Sequence, residues 1–174
     1  LGPFDLVYSN AVLQWMPDPE ETVLRLFSLV APGGALAVQV PCSKPQQDYG
    51  PRLESREVHT ALQQTAQEPP YAAYVSDTAR LWEMAGERME ALLLDKTVRL
   101  EIWETAYLHR LNGYEGLLDW YRGTGLRPYL EALPDALRHP FEQEVLDKLQ
   151  KRYPVGRDGV LHFWFRRFFS VAYK

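Results

Sequence analysis

The period of the hydrophobic positions changes several times along the chain, and each change marks an element. Residues 4–8, Phe-Asp-Leu-Val-Tyr, are short and apolar and close on Ser9-Asn10, the pattern of a strand. Asp18-Pro19-Glu20-Glu21 then opens a helix. Asp18 has a capping side chain, Pro19 suits the first helical position, and Glu21 sits at capping-box spacing. Val23, Leu24, Leu26, Phe27 and Val30 follow at helical spacing as one stripe, and Pro32-Gly33-Gly34 is expected to end that helix. Residues 35–40, Ala-Leu-Ala-Val-Gln-Val, are almost unbroken in apolarity, as in a parallel strand covered on both faces. Strand, crossover helix and second strand make a right-handed βαβ unit of a sheet flanked by helices.

After a polar loop over 41–51, residues 52–67 read as a helix with Val58, Ala61, Leu62, Thr65 and Ala66 facing inward, stopped by Glu68-Pro69-Pro70. A second helix is expected over 78–94, carrying Leu81, Trp82, Ala85, Met89 and Leu92 inward, with Gly86 weakening its middle. Residues 98–108 alternate. Val98, Leu100, Ile102, Glu104, Ala106 and Leu108 share one face; Arg99, Glu101, Trp103, Thr105, Tyr107 and then His109 share the other. Asn112-Gly113 predicts a turn, 114–122 a short helix ended by Gly123, and 127–133 another turn or two of helix. Phe141, Val145, Leu146, Leu149 and Tyr153 mark a longer helix, and the aromatic run over 160–173 predicts a last strand antiparallel to its neighbours.

The expected fold class is α/β: two parallel strands joined by a helix, then two more strands separated by helical insertions. The opening strand reads as an interior one, yet one of its flanks finds no partner in the chain, and an interior strand left as an edge exposes backbone groups and apolar surface. Together with a start at Leu1-Gly2-Pro3, this predicts one incomplete domain whose first part precedes Leu1.

Composition narrows the functional classes. The net charge is −4, with 19 Lys and Arg against 23 Asp and Glu, whereas a nucleic-acid surface needs clustered positive charge. A single cysteine, Cys42, excludes an internal disulfide framework and fits a reducing compartment. No apolar run nears the ~18 residues of a bilayer span, and no basic-then-apolar leader opens the chain. A cytoplasmic protein without membrane or nucleic-acid partners is expected. His59, His109, His139 and His162 lack tight ligand spacing, so no metal is expected, and no Gly-x-Ser-x-Gly elbow marks a hydrolase.

Ser9-Asn10 follows the carboxyl end of the first strand, the edge where open α/β sheets bind ligands. The pair acts as a cap alone or as a cap that also touches a ligand. Val12-Leu13-Gln14-Trp15 carries an amide and an indole in an apolar stretch, and Trp15 by itself reads as core. Gly123-Thr124-Gly125 looks like part of a phosphate loop but follows a helix and lacks a lysine, so Gly123 reads as a C-cap. Arg127 opens a short helix, where a guanidinium and free N–H groups can receive a carboxylate. A surface salt bridge is the commoner use of such a residue. Trp103, Thr105, Tyr107 and His109 make a polar-aromatic strand face.

Residues 4–15, with Ser-Asn-Ala-x-Leu-Gln-Trp at 9–15, resemble the fourth strand and following loop of class I S-adenosylmethionine-dependent methyltransferases. Pro32-Gly33-Gly34 before an apolar strand resembles the entry to their fifth strand. Trp103-x-Thr105-x-Tyr107-x-His109, the run Gly123-Thr124-Gly125-Leu126-Arg127-Pro128-Tyr129-Leu130, and Tyr153-Pro154 with the last strand are similar to the trans-aconitate 2-methyltransferase branch. The resemblance covers nearly the whole chain, except that 46–94 matches poorly. It implies the C-terminal part of a Rossmann-like sheet, with a core βαβ at about 1–45, a helical insertion at 46–97, and strands with substrate-side helices at 98–174. The family's Gly-rich cofactor loop and ribose-binding acid would precede Leu1, on the order of 80 residues for three strand–helix units.

The resemblance also implies the chemistry: S-adenosyl-L-methionine as cofactor, and methylation of a carboxylate of a small polycarboxylic acid, trans-aconitate foremost. Ser9, Asn10 and Ala11 would touch the cofactor, Gln14 and Trp15 would position the reacting groups, and Trp103, Tyr107, His109, Arg127 and Tyr129 would bind substrate. A carboxylate is ionised at neutral pH, so no catalytic base is required. The full-length protein is expected to be a monomer, and the 174-residue chain alone to be inactive and a weak cofactor binder. Two other readings stay open. One is methylation of a malonyl-carrier-protein carboxylate, which calls for a basic docking surface; the other is a non-catalytic α/β interaction module.

Overall fold

The computed structural model describes residues 2–42, 52–76, 78 and 84–174. In chain order the elements are β1 (Phe4–Asn10), a 3-10 turn (Leu13–Trp15), α1 (Pro19–Ser28), β2 (Val30–Cys42), α2 (Ser55–Ala66), α3 (Ala72–Val75) and α4 (Gly86–Leu93). A second 3-10 turn (Leu94–Lys96) leads to β3 (Arg99–Asn112), followed by α5 (Gly113–Arg122), α6 (Arg127–Ala132), α7 (Asp135–Gln150) and β4 (Val160–Tyr173). The chain divides into two compact units. The first holds Leu1–Pro45, Leu81–Ala106 and Arg166–Lys174; the second holds Gln46–Arg80 and Tyr107–Phe165. Among the described residues no helix is long and apolar enough to cross a membrane.

The sheet runs in the order β1-β2-β4-β3, with β1 parallel to β2 and β2 antiparallel to β4. This is the Rossmann-like mixed sheet that the alternation of strands and helices predicts, including the reversed last strand. β1 is an edge strand, hydrogen-bonded to a neighbour on one side only among the described residues. Its Leu6 and Tyr8 are 61% and 65% exposed, which is the unpartnered flank and bare apolar surface expected of this strand within these residues.

In the first unit, the even-numbered face of β2 forms the core. Leu36, Val38 and Val40 pack with Val23 and Phe27 of α1, Met89 and Leu93 of α4, and Phe168 and Ala172 of β4. Full burial of one such side chain is worth about 1.5–3 kcal/mol. The helix stripe therefore lies where the spacing places it, except that Val30 belongs to β2. Two local expectations are corrected. Asp18 is the N-cap residue of α1 but makes no side-chain cap bond; instead its carbonyl accepts the Thr22 N–H at 3.0 Å and hydroxyl at 2.8 Å. Pro32-Gly33-Gly34 does not terminate α1, which ends at Ser28, but lies inside β2 where the register with β1 shifts. Gly34 is required there because a Cβ would sit 2.7 Å from the Asp5 carbonyl oxygen of β1.

The second unit has its own core. Val58, Ala61 and Leu62 of α2 meet Leu117, Leu118 and Tyr121 of α5, Phe141, Val145 and Leu149 of α7, and Phe163 of β4. Thr65, fully buried in α2, returns its hydroxyl to the Ala61 carbonyl at 2.9 Å, which lets a polar residue occupy the apolar stripe. The helix expected over 78–94 begins only at Gly86, because Ala85 is extended with ψ 152°; Leu81 and Trp82 lie outside the described residues. No loop separates β3 from α5: the strand continues through Asn112 and the helix starts at once on Gly113, whose φ of +58° suits glycine.

Candidate functional site

Among the described residues, the one non-glycine residue with a positive φ follows the carboxyl end of β1. Ser9 is buried and Asn10 exposed, and Asn10 lies in register with Gln39 of β2. The next residue, Ala11, has φ +53°, a left-handed conformation that costs a residue with a Cβ about 1–2 kcal/mol. Two hydrogen bonds hold it: the Ala11 N–H donates to the Gln39 carbonyl at 2.9 Å, and Gln14 Nε2 donates to the Ala11 carbonyl at 2.9 Å. Leu13, 1% exposed, anchors the turn in the core. Gln14 is buried beside it, and its Oε1 has no partner among the described residues.

This geometry bears on two local readings of the residues. Ser9-Asn10 does not cap the 3-10 turn, whose N-cap is Val12 without a side-chain bond. Trp15 is not core. The turn points Leu13 and Gln14 inward, leaving the indole 46% exposed.

Farther along the same sheet, Gln39 is 3% exposed and its Oε1 accepts Arg167 Nη1 at 2.9 Å. The sequence assigns neither residue a role, although Gln39 is the one polar position in the apolar run 35–40. On β3, Trp103 stacks on Phe169 at 5.1 Å with 4° between the planes, leaving the indole 44% exposed. Glu104, half-buried on the opposite face of β3, has its carboxyl raised above the ordinary range by burial; Arg166 pulls it back and Glu87 pushes it further.

The other expected site residues belong to the second unit. His109 meets Trp120 edge-on at 4.5 Å and lies 6.3–6.5 Å from the rings of Phe165 and Phe163. Tyr107, 40% exposed, is tilted 6.4 Å away from His109. Arg127 opens α6 in solvent, with its Nε donating to Glu131 Oε1 at 2.7 Å. That hydrogen bond and the Glu131 charge raise the guanidinium pKa, so the salt-bridge reading describes its observed contact. Tyr129, two residues on, turns inward: it is 7% exposed and stacked on Phe141 at 5.6 Å. The two residues therefore do not form a joint clamp. Gly123 caps α5 as expected, and Thr124 turns its hydroxyl to the Trp120 carbonyl at 3.2 Å.

The family described as "Methyltransferase domain" matches residues 1–95. A trans-aconitate 2-methyltransferase from Variovorax paradoxus (strain S110) is 34% identical over 173 residues, covering 98% of this chain and 62% of the relative. One from Methylobacterium nodulans is 37% identical over 172 residues, covering 98% of this chain and 63% of the relative. The chain thus spans less than two thirds of the length of these curated relatives. Among solved structures, a loganic acid methyltransferase with SAH aligns with a TM-score of 0.58 at 10% identity, over 99% of this chain and 62% of that one. The YcgJ protein of Bacillus subtilis aligns with a TM-score of 0.50 at 10% identity, over 98% of this chain and 64% of that one. The sheet order and flanking helices are those of a class I S-adenosylmethionine-dependent methyltransferase fold.

Proposed function

The chain belongs to the methyltransferase domain family, and on that premise we propose that its protein transfers a methyl group from S-adenosylmethionine to a carboxylate of a small polycarboxylic acid, trans-aconitate foremost. The observation that carries this reading is the turn after β1. It joins a left-handed Ala11, a buried Gln14 with an unmet oxygen and an exposed Trp15 at the carboxyl end of a strand in an open α/β sheet. Similarity to trans-aconitate 2-methyltransferases supports the acceptor class.

The residues present fit the donor. Asn10 is exposed, and its amide offers hydrogen-bond donors and an acceptor; Gln14 Oε1, four residues on, is unmet among the described residues. Ser9, Asn10 and Ala11 would hold the amino-acid end of S-adenosylmethionine, which when bound supplies an electrophilic methyl group on a sulfonium. Gln14 and Trp15 would wall the transfer position. The acceptor carboxylate, with an ordinary pKa of about 4, is already ionised at neutral pH, so no side chain has to take its proton. What the protein must do is hold the oxygen in line at ~3–3.5 Å and keep water out.

Trp103, Tyr107 and His109 are assigned to the body and further oxygens of the acid. Arg127 is assigned to a second carboxylate, which would have to displace Glu131. Tyr129, buried against Phe141, supports α6 in this scheme rather than touching the acid.

The test is incubation of the protein, expressed from its whole reading frame, with S-adenosylmethionine and a panel of acids. The expected result is a monomethyl ester of trans-aconitate, seen by mass spectrometry, with matching release of S-adenosylhomocysteine. Methylation of amine or hydroxyl acceptors, with none of di- or tricarboxylates, would overturn the reading. An Arg127→Ala variant with an unchanged KM for trans-aconitate would remove the clamp role from that residue alone.

A further inference from the structure

Two residues in the turn after β1 run against local stability, and they bond to each other. Ala11 has φ +53°. In that conformation a Cβ crowds the following carbonyl oxygen, and a glycine avoids the clash. Gln14 is 7% exposed, and its Oε1 is buried without a partner among the described residues. An unmet acceptor in the interior is costly, and an apolar side chain of the same length fills the space without that cost. Neither residue is the one that folding alone favours, and such departures collect at functional positions.

The bond between them supplies a reason. Ala11 is pinned at both ends: its N–H donates to the Gln39 carbonyl of β2 at 2.9 Å, and its carbonyl accepts Gln14 Nε2 at 2.9 Å. The second bond fixes which way the amide faces, because the flipped amide would set Oε1 against the Ala11 carbonyl oxygen. Leu13, 1% exposed, anchors the 3-10 turn in the core, so Gln14 reaches Ala11 from a fixed point. Glycine at this position would enter the left-handed conformation freely and leave it freely; alanine stays in it only while the bonds hold. The backbone so held continues directly from Asn10, exposed at the carboxyl end of β1.

We propose that Gln14 is a positioning residue: its bond to the Ala11 carbonyl holds the left-handed turn in the shape that receives the methyl donor, so that donor affinity depends on the Gln14–Ala11 pair. The proposal rests on the methyl-transfer reading and adds how that site is preset. A turn held before binding does not have to be ordered by the ligand, and affinity rises by the cost removed. Here the amide acts on the donor through Ala11, a role apart from the wall that the Gln14 side chain contributes at the transfer position.

The test is a mutant cycle in the protein expressed from its whole reading frame. Gln14→Met keeps length and burial but donates nothing; Ala11→Gly frees the backbone; a third protein carries both changes. Calorimetry gives the affinity for S-adenosylhomocysteine, and hydrogen exchange gives the protection of the amide at position 11. Gln14→Met is expected to weaken S-adenosylhomocysteine about ten-fold and to expose that amide. The double variant is expected to return to within about three-fold of the parent, because glycine adopts the left-handed conformation unaided, and Ala11→Gly alone to stay in the same range. Gln14→Leu removes the same bond with a different shape and is expected to give the same loss and the same rescue. A loss as large in the double variant as in Gln14→Met overturns the proposal, since a residue that fills the core or touches the ligand directly is not rescued at position 11. Parent-like affinity or parent-like protection in a folded Gln14→Met protein overturns it as well. A parent protein that binds no S-adenosylhomocysteine overturns the methyl-transfer reading and the donor as the ligand of this turn, while the exchange measurement still decides whether Gln14 holds Ala11.

Discussion

Arg122 grips Glu142 with two parallel hydrogen bonds, Nε to Oε1 at 2.8 Å and Nη2 to Oε2 at 2.9 Å, tying α5 to α7 within the second unit. The pairing raises the pKa of the guanidinium, and its ends are unequal: the Glu142 side chain is 7% exposed while that of Arg122 is 41% exposed. Removing Glu142 leaves a cation that still reaches Asp119 at 2.9 Å. Removing Arg122 strands a buried carboxylate. Arg122→Ala is therefore expected to cost about 2–3 kcal/mol and Glu142→Ala about 1 kcal/mol, read as shifts of the urea midpoint at constant slope.

At Gly34 the two parallel strands come too close for any side chain. A Cβ would lie 2.7 Å from the Asp5 carbonyl oxygen and 3.0 Å from that of Phe4. Gly34→Ala is expected to push β1 away from β2 and to lower stability by about 1–3 kcal/mol. Hydrogen exchange checks the mechanism, since amides of β1 and β2 should lose protection before those of α2 or α7.

Glu104 should make the protein less stable at neutral pH than in mild acid. Burial raises its carboxyl pKa, with Arg166 opposing and Glu87 adding to the shift. The folded state thus holds this proton more tightly than the unfolded chain, and the resulting stability is present at low pH and lost as pH rises through the folded value. Glu104→Gln is expected to raise the melting temperature at pH 7, with the gain shrinking below about pH 4. Thermal melts at the two pH values measure it.

Tyr114 predicts an alkaline weak point. Its hydroxyl donates to the Tyr153 carbonyl at 2.6 Å, and burial pushes its pKa from 10.0 up to about 12, with Tyr153 adding to the shift. The stability linked to that proton is complete below the unfolded value near pH 10 and disappears as pH climbs toward 12. Tyr114→Phe is expected to cost about 1 kcal/mol at pH 8 and then to lose less than the parent between pH 10 and 12. Urea unfolding at pH 8 and pH 11 distinguishes the two.

The position of the candidate site was legible as a string. The run Ser9-Asn10-Ala11-Val12-Leu13-Gln14-Trp15 names its own place, because an apolar strand must end before a polar pair, and the end of such a strand is where ligands bind. Its details were not. Whether Trp15 is core or surface depends on how a 3-10 turn rotates relative to Leu13, and whether Arg127 is free depends on Glu131 lying one helical turn away. Tyr129 carries the same side chain in either role, and its place in the core, stacked on Phe141, removes it from solvent.

The amino-acid order was enough for the elements that satisfy themselves locally. The stripe of α2, the proline start of α1 and the aromatic alternation of β4 each follow from a period and a few backbone preferences carried within a dozen residues. Boundaries and partners were settled by contacts at long range. Pro32-Gly33-Gly34 looks like a helix stop until β1 comes alongside and takes Gly34 into a strand. Gln39 and Arg167 are 128 residues apart and meet only because β4 runs antiparallel to β2 in one particular register. Periodicity tells which face of a strand is apolar; it carries no information about which distant strand will lie beside it, and that pairing decides where a buried amide finds its partner.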